Sequence, residues 1–339
     1  MKFYFDRGMM NRFVITCGDI NGIGPEIVIK SLNRLTLLRK KSKYYFICPE
    51  NIFQKTIEQV KPKFDFQVIS PNEAAESSSK VSVIKLPDCR KKTGYPTKSS
   101  GSTSYQALQT SFLFLEANIA DAVITAPVSK TALSMAGIIF PGQTEMFAKW
   151  SVSKEYIMTF LSKRLNVALQ TIHIPLKNVH KFLNEKELEA TFNVLLRTLK
   201  RDLAIESPRI ALLGLNPHAG ENGLIGTEEE KIIKPVIKKY SRKLVIDGPF
   251  PADAFFAKKL FTNYNFVLGM YHDQVLIPFK YLNSGFGVNY TAGLPIVRTS
   301  PDHGVAYDIS GKNIADEKSM LQAVRYAEII VNNRRRFGA

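Results

Sequence analysis

Short apolar runs bounded by turn residues recur along the chain, separated by longer stretches with helical spacing. That alternation predicts an α/β protein in which crossover helices join the strands of a parallel sheet. Phe13 to Cys17, Tyr44 to Cys48, Val81 to Leu86 and Ala122 to Thr125 read as strands. So do Val167 to Ile172, Ile210 to Leu215 and Phe266 to Met270, each followed by polar residues. The stretch 27–38 and the segment Ser102 to Asn118 carry the helical period, and the polar stretch Asp88 to Thr103 reads as a long loop.

Composition narrows the picture. A chain of 339 residues, 45% hydrophobic and 22% charged, can bury one large core or two ordinary ones, and disorder as the main state is excluded. The richest apolar stretch, Phe112 to Val128, is interrupted by Glu116 and Asp121, so no membrane span is readable. Asp6, Arg7 and Arg12 leave no room for a signal-peptide core, and a cytoplasmic protein is expected. Cys17, Cys48 and Cys89 lie far apart and read as small apolar residues rather than disulfides or a zinc site. The net charge of +16 attracts anions, but its sign does not choose between nucleic acid, anionic lipid and phosphorylated metabolites. The basic residues are scattered in short clusters, and no basic helix interleaved with aromatics appears.

Three of the five histidines occupy the same kind of position. His173, His218 and His272 each stand just past the carboxyl end of an expected strand. Ligands of open α/β sheets bind there, and three imidazoles could hold a divalent ion while leaving a coordination position open. Singly, each reads more readily as a capped or hydrogen-bonded loop residue; three in register bring the two readings level. Asp247 and Asp273 could orient a histidine or bind the ion directly, and Asp253 reads as the N-cap of the following helix.

Two further segments point to anions. The stretch from Gly18 to Glu26 (GDINGIGPE) follows a strand and opens a helix, so it could cradle an anion or simply form a tight turn. Neither GxGxxG nor a P-loop is present. The stretch 298–312 is dense in Gly, Asp, His and Ser, which makes a loop rich in donors and acceptors, plausible for a nucleotide. Lys280, Asn289 and Arg298 could serve an anionic substrate, the lysine as a point charge and the arginine as a bidentate fork.

Taken in order, GDINGIGPE, ITAPVSK, FPGQTE, TIHIPL, LGLNPHAGENGLIGTEE, DGPFPAD, YHDQVLIPFK and GVNYTAGLPIVRTSPDHGVAYDISGK closely resemble the 4-hydroxythreonine-4-phosphate dehydrogenase family of vitamin B6 synthesis. The resemblance spans nearly the whole chain. It implies a two-domain, three-layer α/β/α fold with mainly parallel sheets, like that of isocitrate and isopropylmalate dehydrogenases. The expected nucleotide-side domain is 1–130 plus 290–339, and the expected metal, substrate and dimerisation domain is 131–289, with the active site in the cleft between them. A homodimer, NAD or NADP, and one divalent metal (Zn, Mg, Co or Mn) are also implied, with no role for nucleic acid or membrane.

Carried over residue by residue, the resemblance implies His173, His218 and His272 as metal ligands. It implies Gln143, Thr144, Lys280, Asn289 and Arg298 as substrate-binding residues, and Lys280, His218 and Asp247 as catalytic ones. Gly18, Asp302, His303, Gly304, Ala306, Asp308 and Gly311 are the implied cofactor-binding residues. One position departs from the family pattern: the usual GHTE is GQTE here, and Gln143 can donate a hydrogen bond but cannot shuttle a proton near neutral pH. The implied reaction oxidises 4-phosphohydroxy-L-threonine to a β-keto acid, which decarboxylates to 3-amino-2-oxopropyl phosphate. A related dehydrogenase acting on another phosphorylated hydroxy acid, such as a four-carbon sugar-acid phosphate, is the alternative. A metal-dependent hydrolase would leave the HGVAYDISGK loop unexplained, and a nucleic-acid-binding protein would rest on charge alone.

Overall fold

A computed structural model describes residues 10–39, 41–241 and 245–338, so Asp6 and Arg7 lie outside the described residues. The chain divides into two units, Met1–Ser151 with Ile296–Ala339, and Val152–Pro295. The strands are β1 (Asn11–Thr16), β2 (Ser42–Pro49), β3 (Gln67–Ile69), β4 (Val81–Leu86), β5 (Ala122–Thr125), β6 (Ile157–Leu161), β7 (Val167–Leu169), β8 (Arg209–Leu213), β9 (Val245–Phe250), β10 (Phe266–Gly269), β11 (Val288–Ala292) and β12 (Arg298–Pro301).

In the first unit the strand order is β3-β4-β2-β1-β5-β12, and its printed pairings are parallel. The chain moves one way from β1 to β2, through the helix Gly24–Leu38, and the other way from β4 to β5, through the helix Lys98–Glu116. Right-handed crossovers in opposite directions put those two helices on opposite faces, which gives three layers. The C-terminal helix Lys318–Arg336 packs beside Gly24–Leu38. The reversal falls between β1 and β5, and the crevice beyond the carboxyl ends of such a strand pair is where ligands of open α/β sheets bind.

The helix Lys98–Glu116 begins inside the stretch expected to be a loop. Thr97 caps it by accepting from the Ser100 amide at 3.0 Å, while the Ser100 hydroxyl accepts from the Thr97 amide at 3.2 Å. The helix then lies so close to the segment Lys130–Met135 that a Cβ on Gly101 would stand 1.9 Å from the Ala132 carbonyl oxygen. Asp253 is also not an N-cap: Pro251 holds that position, and Asp253 sits in the first turn of the helix Ala252–Ala257. Its charge there still complements the helix dipole.

The second unit is mixed. Its strand order is β11-β6-β7-β10-β8-β9, with β7, β10, β8 and β9 parallel to one another and β6 antiparallel to both β7 and β11. Its core gathers Phe160, Val167, Leu213, Phe255, Val267 and Phe279, among others. β10 lies between β7 and β8, so the loops bearing His173, His218 and His272 leave the carboxyl ends of three adjacent strands.

Candidate active site

In the first unit, the stretch GDINGIGPE is folded as a tight turn against its neighbours. Gly18 has φ +65°, and a Cβ on Gly22 would stand 2.5 Å from the Val305 carbonyl oxygen. The Asp19 side chain is fully buried and accepts from the Tyr307 hydroxyl at 2.7 Å and the Ser100 hydroxyl at 3.2 Å. Burial pushes its carboxyl above the usual carboxylate range, against the opposing pull of these hydrogen bonds. The Asn21 carbonyl accepts from the Ser310 hydroxyl at 2.8 Å and from the Gly94 amide at 2.9 Å. Gly18 and the 302–311 loop are thereby tied into one surface.

Within that loop, Asp302 accepts from the Ser319 hydroxyl at 3.0 Å, Ala306 has φ +47°, and Gly311 has φ +77°. Gly304 and Asp308 are exposed. A Cβ on Gly304 would meet nothing within 4 Å, and His303 Nε2 is buried without a partner. An open glycine beside an unsatisfied ring nitrogen fits a nucleotide with polar edges.

Arg298, at the start of β12, is 3% exposed. Its guanidinium donates to Thr125 Oγ1 at 2.9 Å, Gln143 Oε1 at 3.0 Å, Ser300 Oγ at 3.1 Å and Thr144 Oγ1 at 3.4 Å. Burial brings its pKa down to about 10, partly offset by attraction to Glu145, so it is still a cation at neutral pH. Gln143 uses its other end to donate to the Ala126 carbonyl at 3.3 Å. Gln143, Thr144 and Arg298 are thus brought together beside β5, at the strand pair where the chain reverses direction.

In the second unit, His173 and His272 face one another with ring centroids 6.2 Å apart. They line a cavity of about 330 Å³ together with Thr171, Tyr271 and Asp273. An imidazole nitrogen ~2.0–2.1 Å from an ion puts its ring centroid about 3.2 Å away, so two rings on one ion stand at most about 6.4 Å apart. That limit is a linear arrangement; at the tetrahedral angle the centroids would stand about 5.2 Å apart, so the pair must close by about 1 Å to share an ion, for which its donor chemistry is suited. Asp273 Oδ1 contacts His272 Nδ1 at 2.7 Å, a pairing that orients the ring and leaves Nε2 to bind.

His218 is not gathered with this pair. Among the described residues, no three His, Cys, Asp or Glu side chains stand close enough to hold an ion. His218 is exposed at the head of an unusual turn in which His218, Ala219, Gly220, Glu221 and Asn222 all have φ between 44° and 79°. Each non-glycine residue in that conformation costs about 1–2 kcal/mol, so the turn holds strain that its surroundings must enforce.

The other expected site residues are spread out. Lys280 is exposed in the helix His272–Asn283, eight positions and about 12 Å of helix rise from His272. Asn289 lies on β11, and its Oδ1 is buried without a partner. Asp247 lies in the amino half of β9, opposite Ala211, where it accepts from the Tyr264 hydroxyl at 2.9 Å and pairs with Arg209 at 3.9 Å.

Residues 40–327 match the family described as pyridoxal phosphate biosynthetic protein PdxA. The chain belongs to the PdxA family. It is 38% identical over 335 residues to a 4-hydroxythreonine-4-phosphate dehydrogenase of Zymomonas mobilis, covering 97% of this chain and 98% of the relative. It is 36% identical over 330 residues to one of Bacteroides thetaiotaomicron, covering 96% and 90%. The crystal structure of the Klebsiella pneumoniae 4-hydroxythreonine-4-phosphate dehydrogenase is 34% identical, with a TM-score of 0.81 and coverage of 96% and 99%.

This PdxA-family chain also carries residues that sequence reasoning passed over. Gln274 donates to the Gly214 carbonyl at 2.6 Å and accepts from the Met270 amide at 2.7 Å, which ties the ends of β8 and β10 together. Thr171 donates to the Met270 carbonyl at 2.6 Å and adds the end of β7. Tyr307, Asn21, Asn216 and Glu229 were equally silent. Each stands inside a quoted motif, but nothing in its spacing marks it as a bridge.

Proposed function

We propose that this chain oxidises 4-phosphohydroxy-L-threonine with NAD or NADP and a divalent cation. The product is 2-amino-3-oxo-4-phosphohydroxybutyrate, which loses CO2 to give 3-amino-2-oxopropyl phosphate. As a PdxA-family member, the chain is a 4-hydroxythreonine-4-phosphate dehydrogenase of pyridoxal phosphate biosynthesis. The observation that carries the metal-assisted reading is the facing pair His173 and His272, with Asp273 behind it, on a cavity at adjacent strand ends.

The division of labour follows from the chemistry of each group. When bound, the nucleotide supplies a hydride acceptor, and the cation supplies Lewis acidity toward the substrate's C3 oxygen. His173 and His272 would hold the cation, with His218 as a third ligand once its turn brings it to them. Arg298 offers its fork to an oxyanion of the substrate, and Thr144 donates from the same cluster. Asn289 Oδ1, already desolvated, accepts from a substrate donor and gains a partner in doing so. The surface formed by Gly18 and the 302–311 loop holds the nucleotide, with His303 Nε2 and the open face at Gly304 toward it.

A nicotinamide held there would accept the C3 hydride, and the hydroxyl proton would pass to solvent. The Lys280 ammonium then stabilises negative charge as the C–C bond to the carboxylate breaks, and it supplies the proton that ends on carbon. Asp247, held by Tyr264 and Arg209, takes no part in these steps. The family resemblance carries a homodimer into the same reading. The test is reduction of NAD or NADP on adding 4-phosphohydroxy-L-threonine to the cation-loaded protein, with release of one CO2 per hydride. Turnover of a four-carbon sugar-acid phosphate in preference to that substrate would overturn the assignment.

A further inference from the structure

The turn that carries His218 is held from inside by a buried carboxylate. Glu229 is fully buried; its Oε1 accepts from the Asn216 amide at 2.8 Å, and its Oε2 accepts from Asn216 Nδ2 at 3.0 Å. The second hydrogen on Asn216 Nδ2 goes to Glu228 Oε2 at 2.8 Å. A Cβ on Gly220 would stand 2.6 Å from Glu229 Oε2, and one on Gly214 would stand 3.1 Å from Oε1 and 2.8 Å from the Ala219 Cα. The carboxylate therefore fills the hollow of the left-handed turn, and only glycine at 214 and 220 leaves it room.

The turn has few supports of its own. Ala219 donates its amide to the Asn216 carbonyl at 3.1 Å, and Ile225 donates to the Gly220 carbonyl at 3.1 Å. Both contacts depend on Asn216 and Gly220 staying where Glu229 holds them. The base is fixed independently, because Gln274 ties Gly214 to Met270 and so to the segment that opens the His272 helix. Loosening Glu229 thus frees residues 216–222 while the frame beneath stays put. A buried carboxylate is costly unless every lone pair finds a donor, so its presence here needs the donors that Asn216 supplies.

We propose that Glu229 is a positioning residue, whose clamp on Asn216 sets the left-handed turn and thereby the place from which His218 reaches the cation. This rests on His218 acting as a ligand in the reading above. In Glu229→Gln the shape is kept, but an amide NH2 faces Asn216 Nδ2, so two donors oppose each other.

The experiment compares Glu229→Gln and His218→Ala with the unaltered full-length protein. It measures Zn and Co affinity by calorimetry, amide hydrogen exchange over 216–226 without added metal, and kcat and KM. For Glu229→Gln we expect at least a tenfold loss of metal affinity, at least a tenfold faster exchange in the turn, and a fall in kcat with the nucleotide KM unchanged. The triple variant Asn216→Asp, Glu228→Gln, Glu229→Gln reverses donor and acceptor at both side-chain contacts and should recover metal affinity to within threefold. Should Glu229→Gln fail to fold, Asn216→Ala at its half-buried position gives the same readouts. If His218→Ala loses affinity while Glu229→Gln only lowers the melting temperature, the positioning role is overturned and the metal reading stands. If His218→Ala binds metal as tightly as the unaltered protein, His218 is no ligand and both fall.

Discussion

Arg298→Lys tests the anion-binding half of the site. The guanidinium makes hydrogen bonds to Thr125, Gln143, Thr144 and Ser300 from a side chain 3% exposed. Lysine offers three donors at a point where arginine offers five in a plane, so about two of these contacts are lost. At ~1.5–3 kcal/mol for a hydrogen bond to a charged group, and with the freed hydroxyls re-pairing among themselves, stability should fall by about 2–3 kcal/mol. Losing one arm of a bidentate grip on the substrate oxyanion costs about the same again, which is a fall of roughly 30- to 150-fold in kcat/KM. The assay is the initial rate of NAD(P)H formation at varied substrate, with the loss expected in substrate KM and not in nucleotide KM.

The pH profile gives an independent check. Burial already lowers the Arg298 pKa to about 10, and lysine begins lower, so the variant should lose further activity as pH rises toward 9 while the parent does not. A variant that is less stable yet keeps the parental kcat/KM and a parental pH profile would show that Arg298 is an internal brace and nothing more.

Gln143→His should raise kcat/KM and add an acid limb below the ordinary histidine pKa, because the Arg298 cation that Gln143 Oε1 now meets at 3.0 Å disfavours the imidazolium; a constant ratio of variant to parent from pH 5 to 8.5 would refute this. Asp19→Asn should gain on the parent in stability as pH rises. The Asp19 carboxyl is pushed up by burial, so its favourable contribution is complete below the unfolded value of about 3.9 and fades as pH rises through the folded value. Denaturant melts at pH 3.5 and 7 measure the change. Gly22→Ala should cost about 1–3 kcal/mol and raise the nucleotide KM, since its Cβ would stand 2.5 Å from the Val305 carbonyl oxygen and push the 302–311 loop away. Asp273→Asn should weaken cation binding by about 10–100-fold in calorimetry, as loss of a ligand's orienting partner does; chelation of the parent should abolish turnover, and added divalent metal should restore it.

The apolar strands of the first unit were readable because burial on both faces makes them continuous hydrophobic runs: Val81–Leu86 and Ala122–Thr125 fall where the pattern puts them. β12 was not readable. Its residues, Arg298–Pro301, have the composition of a loop, yet all four are buried because tertiary packing places a cation and two hydroxyls inside the unit. β9 hides behind Gly248 and Pro249, and the antiparallel pair β6 and β11 carries no periodic signal strong enough to stand apart.

The site divides in the same way. Three histidines at strand ends could be picked out from sequence, and two of them meet; what the third does depends on a left-handed turn whose residue types, His, Ala, Glu and Asn, do not announce it. Cys17 and Cys48, 31 positions apart in sequence, stand side by side at the ends of β1 and β2, where burial holds the Cys48 thiol well above its usual pKa. Only strand pairing brings them together, and they behave there as buried apolar residues.

The first unit is interrupted: the chain leaves it at Ser151 and returns at Ile296. During synthesis, β5 therefore waits without its neighbour β12 while 144 residues of the other unit, Val152–Pro295, are made. At roughly 5–20 residues per second this exposes one edge of the nascent sheet for about 7 to 30 seconds. Arg298 arrives with the strand that seals that edge, so the buried cluster it forms with Thr125, Gln143 and Thr144 is assembled only as the sheet is completed.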